Sequence, residues 1–346
     1  MDTALHTEIS VSQQLDAALT DTAFATLDET GWIRVTGADR VRWLNGMVTN
    51  SIQALAPGRG CYNFALNAQG RIQGDLSAFA PADDPDALLL ETRRNQMPAL
   101  VSHLDHFIIM DDVELADITG QRAGLLVLGP HAASLLQRLK LNFPEDQLAA
   151  ESAEWSASRV MVIHAYSPLV PRFELWSTPD VIASIVDVLG QNVRHLSSEG
   201  LEHLRLLEGT PRYGVDIRNT DKAHDLPQET AMIASESRAL HFSKGCYLGQ
   251  EIVERIRSRG NVHRTLSGFE LMGTLPRPGT NLQAEGKNVG ELTSVAAIPL
   301  PGRTIQLALG YIRREALDRR LPLEYPGGTV VPVPLPYRAA LPGSGI

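Results

Sequence analysis

The sequence predicts an α+β protein of several modules that ends in an all-β barrel. Three observations lead there. Strand-like and helix-like hydrophobic patterns follow one another through the first two modules. After residue 262 glycine and proline punctuate short strands, as in 275–279, 284–286 and 299–302. A chain of 346 residues also exceeds what one hydrophobic core ordinarily serves.

In the first module, residues 22–116, Gly31-Trp32-Ile33-Arg34-Val35 alternates like a strand. Asp39 opens a short helix through Trp43 and Leu44, which Gly46 ends. Residues 62–66 form a second strand before the polar turn Asn67-Ala68-Gln69-Gly70. Leu100, Val101, Leu104 and Phe107 follow at helical spacing, with Asn95 as N-cap.

The second module, residues 117–194, repeats strand then helix. Residues 123–128 are a buried-strand run, and Gly129-Pro130 leads into a helix reaching Leu139. Residues 172–176 alternate as a strand, and Thr178 with Pro179 caps and starts another helix. Two such units suggest a split β-α-β, ferredoxin-like module. Ser198 caps a further helix with Leu201, Leu204 and Leu207 along one face.

Composition narrows the function classes. Hydrophobic residues make up 43% and charged residues 21%, ordinary for a globular protein. The formal charge of −9 argues against a surface built to grip a phosphate backbone. Two cysteines, Cys61 and Cys246, are too few to staple the chain, so a reducing cytoplasm is expected, although a Cys61–Cys246 disulfide is conceivable. The amino terminus has no basic-then-apolar leader pattern, and no apolar run is long enough for a membrane span.

The chemistry concentrates in Lys244-Gly245-Cys246-Tyr247-Leu248-Gly249-Gln250-Glu251. A helix begins near Gly249, with Glu251 and Arg255 paired at i,i+4. Cys246 then lies in a tight turn close to a helix N-terminus and to Lys244, and both favour the thiolate, the reactive and metal-binding form. A small buried structural cysteine explains the same residues equally well.

This octapeptide resembles the signature of YgfZ-type proteins, the folate-binding, iron–sulfur-maintenance branch of the glycine-cleavage T-protein (aminomethyltransferase) superfamily. Trp43-Leu44-Asn45-Gly46-Met47-Val48-Thr49-Asn50 is similar to the superfamily's Thr-Asn element. Residues 62–75 are similar to its tyrosine strand and Asn-x-x-Gly turn, and residues 209–214 and 226–229 to the approach to the signature. The resemblance implies a three-module ring around a tetrahydrofolate channel: 22–116 with 195–261 as a discontinuous folate-binding domain, 117–194 as the ferredoxin-like domain and 262–346 as the barrel. It implies Cys246 and Lys244 as catalytic residues and Tyr62, Asp75, Gln250, Glu251 and Arg255 as folate-binding residues, with no resident metal. Its implied partners are iron–sulfur proteins or their assembly factors, with an indirect link to tRNA modification and no membrane.

By residue type, folate's amide-like pterin edge calls for carboxylate or amide groups, its ring for an aromatic wall and its glutamate tail for a cation. Asp75, Tyr62, Lys244 and Arg255 qualify. Equally, Asp75 suits a strand-end carboxylate, Tyr62 half-buried packing, and Arg255 a surface pair with Glu251.

Two positions depart from the superfamily pattern. The glutamate of its Arg-x-Glu-x-Gly helix end falls on Leu207, and Glu208 is rotated from it by about 100°. Aminomethyltransferases carry paired aspartates where this chain has Gly74-Asp75. The rival expectation is nonetheless a tetrahydrofolate-dependent aminomethyltransferase of glycine cleavage. A cysteine hydrolase with His241 as base lacks an orienting third group. His103 and His106 flank Asp105 at i,i+3, a solvent-facing helix pattern without a third metal ligand. Arg255, Arg257, Arg259 and Arg264 read as a solvated basic face.

Overall fold

The computed structural model describes residues 10–218, 232–233, 236–259 and 262–338. The family-like stretch 226–229 lies outside the described residues.

The first sheet has five antiparallel strands in the order Arg59–Leu66, Ile72–Ala80, Leu88–Arg93, Thr30–Thr36, Glu114–Asp117. Alternation in Thr30–Thr36 and Ile72–Ala80 sends Ile33, Val35, Leu76 and Ala78 to one face. There they pack on Trp43 and Leu44 of helix Arg40–Met47 and on Leu100 and Leu104 of helix Met97–Asp105. Gly46 does not end the first helix, which runs to Met47 with Val48 as C-cap. Gln96 rather than Asn95 precedes the second helix, and Pro98 serves its first turn.

The second sheet has six strands in the order Arg194–His195, Ala23–Thr26, Ala123–Leu128, Arg172–Ser177, Ser158–His164, Ala150–Trp155. Helices Ala132–Arg138 and Pro179–Leu189 cover one face through Leu135, Leu136, Ile182 and Ile185. Thr178 is the N-cap residue and Pro179 the first helical residue, as the sequence pattern requires. Ala23–Thr26, read from sequence as part of the first module, is instead hydrogen-bonded to Ala123–Leu128. The two sheets meet through Trp32, Phe79 and Leu89 of the first against Ile163 and Trp176 of the second, with the Trp32 and Trp176 rings edge-on at 5.1 Å.

The third module is a closed barrel ordered Arg264–Gly273, Arg303–Arg313, Lys287–Leu300, Asn281–Ala284, Leu323–Tyr325, Gly328–Val333. Closure leaves no sheet edge unpaired. The helix Ser198–Glu208 joins the modules: Leu204, Leu206 and Leu207 pack with Leu15 of helix Val11–Thr20 and with Ile298 and Leu307 of the barrel. Its N-cap is Ser197, whose hydroxyl accepts from the Gly200 amide, so the sequence-based cap at Ser198 is one residue late. No helix among the described residues is long and apolar enough to cross a membrane.

Candidate functional site

All three modules contribute to the wall of a cavity of about 600 Å³. Tyr62, Asp75 and Glu91 come from the first sheet, Arg172 and Glu174 from the second, and Leu335 follows the last barrel strand. Arg238, on the approach to the Cys246 turn, also lines it.

Tyr62 and Asp75 are brought together on the cavity wall. They sit on paired strands, and the Tyr62 hydroxyl donates to Asp75 Oδ2 at 2.7 Å. Gln96 Nε2 donates to Asp75 Oδ1 at 2.5 Å, so both carboxylate oxygens are held. Burial raises the Asp75 pKa, and the Gln96 and Tyr62 donors oppose it. Tyr62 is pushed well above its ordinary range by burial and by the neighbouring Asp75 charge, so it remains a donor.

The cavity's cations, Arg93, Arg172 and Arg238, are not those anticipated. Arg238 stacks its guanidinium on Tyr166 at 3.2 Å and reaches over Tyr62 at 5.5 Å. No carboxylate among the described residues lies within ion-pair distance of it, and burial lowers its pKa. An aromatic-walled, unpaired guanidinium is a ready receptor for a ligand carboxylate. Arg172 lines the same cavity, its Nε 3.8 Å from Glu174 Oε1 and without a hydrogen bond. Leu207 is fully buried in the inter-module core, whereas Glu208 accepts from Ser167 Oγ at 2.5 Å. Burial raises the Glu208 pKa, and the charges of Arg172 and Arg238 pull it back, so this carboxyl belongs to the cavity's electrostatic environment.

The Cys246 turn is docked on the Thr-Asn element, which explains why both motifs occur together. His241 N donates to Thr49 O, Thr49 Oγ1 to Ala239 O, Asn50 Nδ2 to Arg238 O and Leu248 N to Gly46 O. Lys244 completes the anchor: Nζ donates to the carbonyls of Asn45, Val48 and Asn50 at 2.7, 2.7 and 2.5 Å. These carbonyls lie at and just beyond the end of helix Arg40–Met47, where backbone acceptors lack helical partners. All three ammonium donors are thus committed, and none is left for the Cys246 sulfur. Burial pulls Lys244 down to about 8. Lys244→Met is expected to cost about 2 kcal/mol by stranding these acceptors. The check is a urea unfolding midpoint that falls with unchanged slope.

Gly249 has φ +81°, and a Cβ there would meet Asn67 O at 2.5 Å. Gly70, with φ +68°, lies against Ile252 from the other side of this contact. The signature glycine and the Asn-x-x-Gly turn therefore interlock.

Cys246 is exposed and Cys61 buried, both as free thiols. Burial pushes Cys61 up to about 11, so Cys246 is the reachable sulfur. Helix Gln250–Arg259 carries Glu251 and Arg255 as an exposed ion pair at 2.5 Å. Neither residue, nor Gln250, is among those lining the cavity. Arg257 stacks on Phe242 and Arg264 on Tyr311. His103 Nε2 contacts Leu66 O, and no cluster of three metal-ligating side chains occurs among the described residues. The site thus has two parts: a cavity around Asp75 and Arg238, and a turn whose thiol lies eight residues after Arg238. Tyr62, Phe64 and Tyr247 lie in one apolar cluster between them.

Known proteins give the same picture. The GCVT N-terminal domain family matches residues 7–232. The chain is similar to the tRNA-modifying protein YgfZ of Yersinia pseudotuberculosis, 27% identical over 97% of this chain and 99% of that one. It is also similar to an aminomethyltransferase of Geobacillus kaustophilus, 25% identical over 96% of this chain and 91% of the relative. The fold matches the glycine cleavage aminomethyltransferase T of Bartonella henselae with a TM-score of 0.80, at 18% identity over 96% of this chain and 91% of the other. The match over 7–232, together with the Lys-Gly-Cys-Tyr-x-Gly-Gln-Glu signature at 244–251, shows that this chain belongs to the GCVT N-terminal domain family, as a YgfZ-type member of the T-protein superfamily.

Proposed function

We propose that this chain is a folate-binding accessory protein for the assembly or repair of iron–sulfur proteins, working in the cytoplasm and supporting tRNA modification indirectly. The observation that carries this reading is an exposed thiol on a docked turn, joined by a short stretch of chain to a cavity whose Arg238 guanidinium pairs with no carboxylate of the described residues. The residues present fit a folate. Asp75, with its Tyr62 and Gln96 partners, suits the amide-like pterin edge, Tyr62 and Tyr166 supply aromatic wall, and Arg238 suits the anionic tail. When bound, tetrahydrofolate supplies a carrier for a one-carbon group.

Cys246 is the residue that would act on a cluster, a metal or a one-carbon adduct. The name of the Yersinia relative supports a connection to tRNA modification. A net charge of −9 favours an indirect connection, through iron–sulfur enzymes or assembly factors as partners, over direct grip on RNA.

The Geobacillus and Bartonella proteins keep aminomethyl transfer as the second reading. Local packing disfavours it. A Cβ at Gly74 would meet Leu100 Cδ1 at 3.0 Å and Gln96 Oε1 at 3.2 Å. A side chain there requires Leu100 and Gln96 to shift by a few tenths of an ångström, so the packing suits Gly74 better than an aspartate.

Calorimetric titration with tetrahydrofolate tests the cavity: saturable binding is expected, and its absence removes folate from the account. Robust turnover of an aminomethyl-loaded lipoyl carrier would reject the accessory role.

A further inference from the structure

The seam between the two sheets holds a second cavity, of about 490 Å³, that shares no lining residue with the first. Trp176 forms part of its wall, while the Nε1 of that indole donates to Glu174 of the first cavity at 3.2 Å. Three guanidinium groups line the second cavity, those of Arg34, Arg122 and Arg159, against two carboxylates, Asp83 and Asp84. Arg34 Nη2 pairs with Asp84 Oδ2 at 2.7 Å, and Arg159 Nη1 with Asp83 Oδ2 at 3.6 Å. Arg122 is left over.

The Arg122 guanidinium lies over the Trp32 ring at 4.7 Å, so its charge is placed before any ligand arrives. Its Nη2 donates to the thioether Sδ of Met161 at 4.0 Å, and its Nη1 is buried without a partner among the described residues. Burial lowers its pKa, and the charges of Asp83 and Glu91 oppose this without an ion-pair contact. A thioether is a weak acceptor, whereas buried polar groups normally have strong ones. The guanidinium thus lacks an oxygen acceptor on the wall of a cavity with room for a small molecule.

The remaining wall narrows the ligand class. Leu89, Ile118 and Met161 present apolar surface beside the Trp176 ring. Thr178 brings a hydroxyl that makes no cap hydrogen bond to the helix it precedes. One surplus cation matches one negative charge, and the apolar surface matches a hydrocarbon body. A bare inorganic anion would leave that surface uncovered.

We propose that this cavity is a second ligand site, for a small organic monocarboxylate whose charge is received by Arg122 and whose apolar body lies against Leu89, Ile118 and Met161. The site is independent of the folate reading and stands or falls separately from it. Binding is a charge-assisted association, with no bond made or broken.

The test follows the methionine methyl resonances of the full chain during titration with hexanoate. A saturable shift of the Met161 methyl is expected, assigned by its loss in Met161→Leu. Hexanamide, which keeps the body and loses the charge, should bind about tenfold or more weakly, as loss of one charge-assisted hydrogen bond requires. Inorganic phosphate, which keeps charge and loses the body, should also bind more weakly than hexanoate. Arg122→Met should lower hexanoate affinity to the level of the amide. An unmoved Met161 methyl, or equal affinity for hexanoate and hexanamide, overturns the inference in the wild-type chain, without reliance on a variant. Phosphate binding as tightly as hexanoate overturns the assigned ligand class, and hexanoate affinity undiminished in Arg122→Met overturns the assigned residue. Displacement of hexanoate by tetrahydrofolate places the probe in the first cavity and also overturns it.

Discussion

Replacing Asp216 by alanine is expected to destabilise the protein by about 3–5 kcal/mol, the usual cost of stripping a buried ion pair of one partner. Asp216 is fully buried where the first module meets the barrel. Its Oδ2 accepts from Arg205 Nη1 at 2.7 Å and from the Arg212 amide at 3.0 Å. Its Oδ1 accepts from Thr293 Oγ1 at 2.5 Å and from Ser294 Oγ at 2.7 Å. Tyr311, also of the barrel, donates its hydroxyl to the Asp216 carbonyl at 2.9 Å. Removing the carboxylate leaves Arg205, whose side chain is only 13% exposed, with Glu202 as its carboxylate partner among the described residues, and takes the shared acceptor from the Arg212 amide and two barrel hydroxyls. Asp216→Asn keeps the shape but supplies a donor where Arg205 requires an acceptor, so it should recover part of the loss and not all. Urea unfolding of both variants measures the effect, and a cost below about 1 kcal/mol for alanine would place the inter-module coupling elsewhere.

The second large effect is expected at Arg238. Its guanidinium is packed against Tyr166 and has no carboxylate partner among the described residues, so its charge is already oriented before a ligand arrives. A charge-assisted hydrogen bond contributes about 1.5–3 kcal/mol, which predicts roughly a 10- to 100-fold loss of tetrahydrofolate affinity in Arg238→Ala. Arg238→Lys should recover little, since an ammonium neither stacks on Tyr166 as a plane nor presents a fork to a carboxylate. Titration calorimetry reads this directly. Unchanged affinity in Arg238→Ala would take the ligand's anionic end away from this residue.

Much of the scaffold was legible because its signals are local. The apolar run at 123–128, the Thr178-Pro179 helix start and the punctuated carboxy-terminal strands each carry their pattern within a few residues. Helix Val11–Thr20 was missed although Ser10 and Gln13 form a capping box in front of it. The placement of Ala23–Thr26 was not legible, because a four-residue strand does not state which sheet will take it.

The site divides along the same line. Tyr62 and Asp75, thirteen residues apart, sit on strands joined by a recognisable turn, and the resemblance assigns both to one pocket. Glu91, Glu174 and Arg238 carry no motif and meet only through packing of separate modules. Lys244 was identified by its place beside Cys246, but its partners are carbonyls almost two hundred residues earlier. The signal available was the Thr-Asn element itself, whose backbone receives the anchor. The resemblance implies Gln250, Glu251 and Arg255 as folate-binding residues, and none of the three lines the cavity. Helical geometry instead leaves Glu251 and Arg255 exposed to solvent.

The functional reading stands on a single solvent-reachable sulfur. Cys246→Ser, introduced into a strain lacking the gene, removes that atom at an exposed position where stability should change by no more than about 0.5 kcal/mol. Activity of iron–sulfur radical enzymes in that strain is expected to fall to the level of the deletion while the variant protein accumulates normally. Activity equal to that restored by the unmutated chain would contradict the reading and leave Cys246 without a functional role.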